Sequence, residues 1–365
     1  MTARLHVLLG AGGVGKTTLA AGYALALARA RRRVGVLGID PSRRLQGALG
    51  IELPDLEVPV PAAGELRAAL LRPELCMRRW AAETCPNADA RSRLLHNAFF
   101  VAVADRLATA TDLLAAVRVA EWAERDPELD DLVVDTAPGL DAIEFLRRPQ
   151  RLTAFLEGRL AQWLRQLSAA DRHGALGDAV RGGARRVLGG LARIGGMRLL
   201  IELADFVALA HGLFGQMLER VERMQKWLLA PSTEILLVTA VRHDADRTAR
   251  ELTEALASVH LAPSAIVLNR AVPSELAGEL EGLSATTPHA AALLHYARAY
   301  SAVQARLSTE MLPLAPRMVH VSAARGLDEA DRISALASVG EQLRLALERE
   351  SMSFGLASTA YSVLF

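Results

Sequence analysis

The sequence predicts an α/β protein: a doubly wound, mostly parallel sheet with helices on both faces and an inserted helical subdomain. Three observations carry this. A glycine-rich turn, Gly10-Ala11-Gly12-Gly13-Val14-Gly15-Lys16-Thr17, sits between a short apolar run at 5–9 and a helix-forming stretch. Two further apolar runs, 34–39 and 132–134, lead directly into aspartates, Asp40 and Asp135. Helix-forming stretches rich in Ala and Leu separate these runs, the alternation that builds parallel β-α-β units.

Taken in order, residues 5–9 read as a buried strand, 10–15 as a turn, and 16 to about 31 as a helix. A second strand runs from Val34 to Ile39. The Pro-rich stretch 51–63 reads as irregular, and 64–126 as several amphipathic helices that Asp126-Pro127 ends. Leu132 to Val134 is a third strand, and 140–168 is again helical. Residues 170–196, rich in Gly and Arg, read as a linker. Residues 197–230 read as one or two long helices. Ile235–Thr239 and Ala265–Leu268 are strands, and His320–Ser322 is an edge strand. The final fifteen residues show no clear element. No internal repeat and no second stretch of glycine, four residues, then Gly-Lys-Thr occur.

The totals exclude several classes. Of 365 residues, 42 are basic and 41 acidic, so no excess of charge draws nucleic acid or anionic lipid. Hydrophobic residues make up 51% and aromatics only 4%, which suits helix-rich α/β construction. Cys76 and Cys85 form neither a disulfide framework nor a close zinc-binding pair. The most apolar long stretch, from Met197, is interrupted by Arg198, Glu202 and Asp205, so no transmembrane segment is expected. Residues 5–9 run straight into the turn without a leader, and a cytoplasmic location is expected.

The turn satisfies the phosphate-loop pattern of glycine, four residues, then Gly-Lys-Thr. Gly10, Gly12, Gly13, Val14, Gly15, Lys16, Thr17 and Thr18 are therefore the candidate nucleotide-binding residues. Lys16 is expected to reach the β and γ phosphates, and the Thr17 hydroxyl to bind Mg²⁺. Asp40 and Asp135 end parallel strands, and strand C-termini face the ligand crevice. Asp135 is the candidate acceptor for a Mg²⁺-bound water, and Asp40 orients or deprotonates the attacking water near the metal. Asn269, at a strand end, can give and accept hydrogen bonds on a base edge. An ordinary turn-capping role remains open for each of these three.

Together GAGGVGKTT at 10–18, DPSRRLQGALG at 40–50, DTAPGLDAIEFLRRP at 135–149 and IVLNR at 266–270 resemble the ArsA/Get3 family of dimeric P-loop ATPases. The similarity covers most of the chain and points to the bacterial anion-transporting-ATPase-like branch. It implies a P-loop NTPase core divided over 1–63, 127–150 and 231–350. A helical insert would occupy 64–126, a helical subdomain 151–230, and a tail 351–365. The resemblance further implies ATP and Mg²⁺ as ligands. Asp40 becomes the switch I aspartate, Asp135 the switch II aspartate, Asn269 the adenine reader and Pro313 the proline of the adenine loop.

The chain departs from the family pattern at Ala11, where members carry a lysine that reaches the nucleotide of the partner subunit. A methyl group cannot neutralise charge on phosphoryl oxygens. Slow hydrolysis by a homodimer, or a heterodimer with a lysine-bearing paralogue, is the expectation. Asp141 replaces a switch II histidine, and thiolate sites for arsenite are lacking. Phe214, Met217, Leu218, Val221, Met224 and Leu228 fall near one helical face. That face is either packed core or a surface for a protein client. An ATP-driven switch and a catalytically weak regulatory subunit are the two readings carried forward. A small-molecule kinase is disfavoured by the paired switch aspartates.

Overall fold

A computed structural model describes residues 3–40, 42–61, 63–109, 111–139, 185–322 and 332–361. The chain divides into two compact units. The first comprises Met1–Leu71, Ala123–Glu144 and Trp227–Phe365, and the second Arg72–Trp122 and Phe145–Lys226.

The first unit is built on an eight-stranded sheet. Its strands are β1 (Arg4–Gly10), β2 (Val34–Gly38), β3 (Val58–Pro59), β4 (Leu66–Leu70), β5 (Asp131–Asp135), β6 (Thr233–Ala240), β7 (Ala265–Ala271) and β8 (Met318–Ser322). Their spatial order is β3-β4-β2-β5-β1-β6-β7-β8, and every pair except β3–β4 is parallel. β1 lies between β5 and β6; β2 and β5 end level, with Gly38 beside Asp135, and β1 runs from Leu8 beside Asp135 two residues further to Gly10. The central strands are buried along almost their whole length, which explains their unbroken apolar runs.

Helix α1 (Lys16–Arg29) follows the glycine-rich turn, and α2 (Arg44–Leu49) follows β2. The last helix of the chain, which we number α11 (Arg332–Tyr361), packs along α1. At their crossing a methyl group on Gly340 would overlap the backbone of Gly22, so the two helices meet backbone to backbone.

The second unit contains α3 (Pro73–Thr84), α4 (Ala88–His96), α5 (Ala98–Thr109), most of α6 (Thr111–Arg125) and α7 (Arg185–Leu228) as far as Lys226. Asn87 caps α4 by accepting from the Ala90 amide at 2.8 Å. Phe206 stacks with Phe99 at 6.3 Å and meets Phe214 edge-on at 6.2 Å. The first unit is completed by α8 (Ala245–Ala257), α9 (Ser274–Gly282), α10 (Pro288–Met311) and a 3₁₀ turn at Leu312–Leu314.

Several sequence expectations change. The segment LRAAL at 66–70 is strand β4, not the start of a helical insert, because pairing with β2 overrides the helix preference of Ala and Leu. Residues 185–196, expected to be linker, form the first turns of α7, and 351–361 continue α11. The helix expected at 140–168, the linker portion 170–184 and Asp141 lie outside the described residues. Phe214, Met217, Val221, Met224 and Leu228 are buried and Leu218 is half-buried, so this face is packed core and not an open client groove. Among the described residues no helix is long and apolar enough to cross a membrane.

Candidate phosphate-binding site

The site grows from the junction of β1 and α1. No side chain caps the start of α1, and its first turn holds no acidic residue. Its leading N–H groups and the positive end of its dipole are thus directed at the loop. The loop closes through left-handed backbone at Gly13 (φ 76°) and Gly15 (φ 94°), conformations that favour glycine. A side chain at Gly15 would also collide with the Asn269 amide. Ala11 is half-buried against the core, so its methyl contributes packing where a longer side chain would carry charge.

A cavity of about 410 Å³ opens in front of this loop. Gly13, Gly15, Lys16, Thr17, Thr18 and Asp40 line it, so the expected groups converge. Gly10, Gly12 and Val14 shape the loop without lining the cavity. Lys16 Nζ donates to the carbonyls of Gly10 (2.9 Å) and Ala11 (3.0 Å). Burial draws its ammonium below the usual lysine range, Asp135 and Asp40 oppose that, and Arg44 adds to it. Asp40 is half-buried, and its Oδ1 accepts from the Ser42 amide at 2.8 Å.

Asp135 is almost wholly buried. Burial pushes its carboxyl up to about 7, against the pull of the Thr17 hydroxyl, Lys16 and Arg44, while Asp40 pushes the same way as burial. Its Oδ1 has no hydrogen-bond partner among the described residues. A buried carboxylate oxygen beside a hydroxyl and a second carboxylate is a set of hard donors suited to Mg²⁺. Among the described residues no group of three acidic, His or Cys side chains is arranged to hold a metal ion. The segment after β5 is tied to the loop: Thr136 Oγ donates to Leu8 O (2.6 Å) and Gly139 N to Gly10 O (2.9 Å).

Asn269 lies at the other flank, near the end of β7. Its Nδ2 donates to Val14 O at 2.8 Å, and its Oδ1 accepts from Arg270 N at 2.9 Å. It therefore braces the loop, and it is buried rather than among the residues that line the cavity. Pro313 is a correction. It sits in the 3₁₀ turn that enters β8, and β8 runs parallel to β7 from Met318 beside Ile266 toward Val321 beside Asn269. Pro313 is thus at the opposite end of the sheet from the loop, while the segment leaving β8 at the loop's end lies outside the described residues.

The sequence reading missed Arg44, Thr136 and Arg270, all of which line the cavity. Their signal was proximity: Arg270 follows Asn269, Thr136 follows Asp135, and Arg44 stands four residues after Asp40. Arg270 has a left-handed backbone (φ 60°), held by Tyr300 Oη donating to its carbonyl at 2.8 Å.

A glycine loop between a central parallel strand and an uncapped helix, with strand-end aspartates beside it, defines a P-loop NTPase fold. Residues 3–177, a little under half of the chain, match the model of the anion-transporting ATPase family. The chain is also 27% identical over 143 residues to the ATPase get3 of Schizosaccharomyces pombe (strain 972 / ATCC 24843). That match spans 38% of this chain and 41% of the relative's length.

Proposed function

We infer that the chain is a Mg²⁺-dependent ATP-binding and ATP-hydrolysing switch that couples dimer closure to a partner or client protein. The observation that carries this reading is the buried Asp135 carboxyl. It has an oxygen without a hydrogen-bond partner among the described residues, and it lies beside Thr17 below an uncapped helix start that bears Lys16. Burying such a group costs free energy unless a ligand compensates it.

In this reading the backbone N–H groups of the loop and α1 hold the phosphates. Lys16 leaves the carbonyls of Gly10 and Ala11 to meet them. Thr17, Asp135 and Asp40 hold the metal directly or through water, and Mg²⁺ supplies positive charge against the phosphate oxygens. Asp40, the more exposed carboxylate, orients the attacking water and takes its proton. Asn269 reads the base. The match of residues 3–177 to the anion-transporting ATPase model and the likeness to a protein named an ATPase support the same activity. The dimer, whether of identical chains or with a lysine-bearing paralogue, and the cytoplasmic location rest on the family resemblance.

Ala11 supports a second reading, a regulatory subunit that binds ATP and is weak in hydrolysis alone. Steady-state ATP hydrolysis with Mg²⁺, with solution mass followed in the same samples, separates the two for the native chain and Asp40→Asn. Turnover abolished in the variant, with nucleotide binding kept, is the expected result. Tight binding with negligible turnover in the native chain selects the second reading, and no binding of ATP or ADP rejects both.

A further inference from the structure

We propose that Arg44 is the cation that senses and neutralises the terminal phosphate, in the role for which Ala11 offers no charge. The inference rests on the ATP-binding reading above and adds a residue to it.

The first observation is position. Arg44 opens α2, four residues beyond Asp40, and lines the same cavity as Lys16, Thr17 and Asp40. Arg43 before it takes a left-handed turn (φ 54°) as the chain passes from Asp40 into α2. The second observation is electrostatic reach: the Arg44 charge bears on both Lys16 and Asp135. The third is availability. Arg44 is exposed and makes no hydrogen bond or ion pair with a described side chain, unlike Arg270, whose Nη2 contacts Gly13 O at 3.4 Å.

Sheet order assigns the two arginines to different parts of a nucleotide. β2 and β5 lie on one side of β1 and bring Asp40, Asp135 and Arg44 together there. β7 lies on the other side and brings Asn269 and Arg270. The metal-binding oxygens mark the first side as the place of the terminal phosphate, and the amide of Asn269 marks the second as the side of the base. Without Arg44 a single ammonium, Lys16, faces two carboxylates and the added charge of the γ-phosphoryl group. A planar guanidinium can donate two parallel hydrogen bonds to phosphoryl oxygens and cannot be discharged by its surroundings. Its contribution belongs to ATP and not ADP, because only ATP carries the group it meets.

The test measures affinity for ADP and for the β,γ-imido analogue of ATP, together with turnover, in the native chain, Arg44→Ala, Arg44→Gln and Arg270→Ala. Both Arg44 variants are expected to keep ADP affinity within about twofold. They should lose the preference for the triphosphate, and turnover should fall about 10²-fold, as for removal of a charge-stabilising donor. Arg270→Ala is expected to leave the triphosphate-to-diphosphate ratio unchanged. An unchanged ratio and turnover in the Arg44 variants, an equal loss of both nucleotides, or the same ratio change in Arg270→Ala would overturn the proposal. Failure of the native chain to bind ADP would instead remove the ATP-binding reading on which the proposal stands.

Discussion

The two ends of the central strands hold similar groups in opposite states. At the loop end, Asp135 is buried with one oxygen unpartnered, and its carboxyl is pushed up to about 7. At the other end, Glu234 sits between His6 (3.0 Å) and Arg317 (3.0 Å). Burial pushes the Glu234 carboxyl up, but those two partners outweigh it and hold it down at about 2. His6 bridges on to Asp131 at 2.9 Å, and Asp131 also pairs with Arg32. Despite burial, its carboxylate partners raise the His6 imidazole above its ordinary value. A buried network of ion pairs holds a fold together, while a buried carboxylate without an ion pair stores a cost that a ligand can remove.

Substitution should therefore act oppositely at the two ends. Asp135→Asn is expected to abolish Mg²⁺-dependent turnover, a loss of 10²-fold or more, yet to stabilise the nucleotide-free protein. The gain has an upper bound of about 4 kcal/mol at alkaline pH, from the rise of the carboxyl from 3.8 to about 7. A turnover assay and a thermal melt of the same sample check both halves. Asp131→Ala is the mirror image. Breaking a buried pair costs about 3–5 kcal/mol, visible in denaturant unfolding, with nucleotide affinity kept in the protein that remains folded.

Acid and base titrations sharpen the same contrast. Glu234 is held below its unfolded value, so its contribution is complete above about 4.5 and disappears as pH falls toward about 2. The amount is about 3 kcal/mol. Asp135 has the reverse sign. The folded state holds its proton more tightly, so the nucleotide-free protein loses stability as pH rises from about 4 through 7. Glu234→Gln should flatten the acid limb of a stability-against-pH curve, and Asp135→Asn the limb between. The smallest effect expected is that of Ala11→Lys. It should change the melting temperature little and raise turnover by less than about tenfold if Arg44 already supplies charge; a larger rise would assign that deficit to position 11.

Much of the loop end was legible in the sequence because its chemistry is local. Gly13, Gly15, Lys16 and Thr17 are contiguous, and Asp40 and Asp135 each follow an apolar strand. Arg44 was hidden because a basic residue near a helix start reads as solvated surface until the fold brings it to the cavity. The opposite end was not legible, since His6 reaches partners 125 and 228 residues away. β4 was missed because its residues favour helix and only its neighbour β2 makes it a strand. Pro313 was misplaced because a loop motif carries no information about which end of a strand it adjoins.

The Gly22–Gly340 crossing has a mechanical consequence. Where two helices touch through their backbones, neither can roll about its own axis without driving carbonyl into Cα. α1 is thus clamped from behind while its first turn bears Lys16 and Thr17. In the proposed function α1 would serve as a fixed bearing, and any movement on nucleotide binding would fall to the segments after β2 and β5, where Asp40, Arg44 and Thr136 stand. A side chain at position 340 should therefore disturb, from its far face, the helix that bears Lys16 and Thr17.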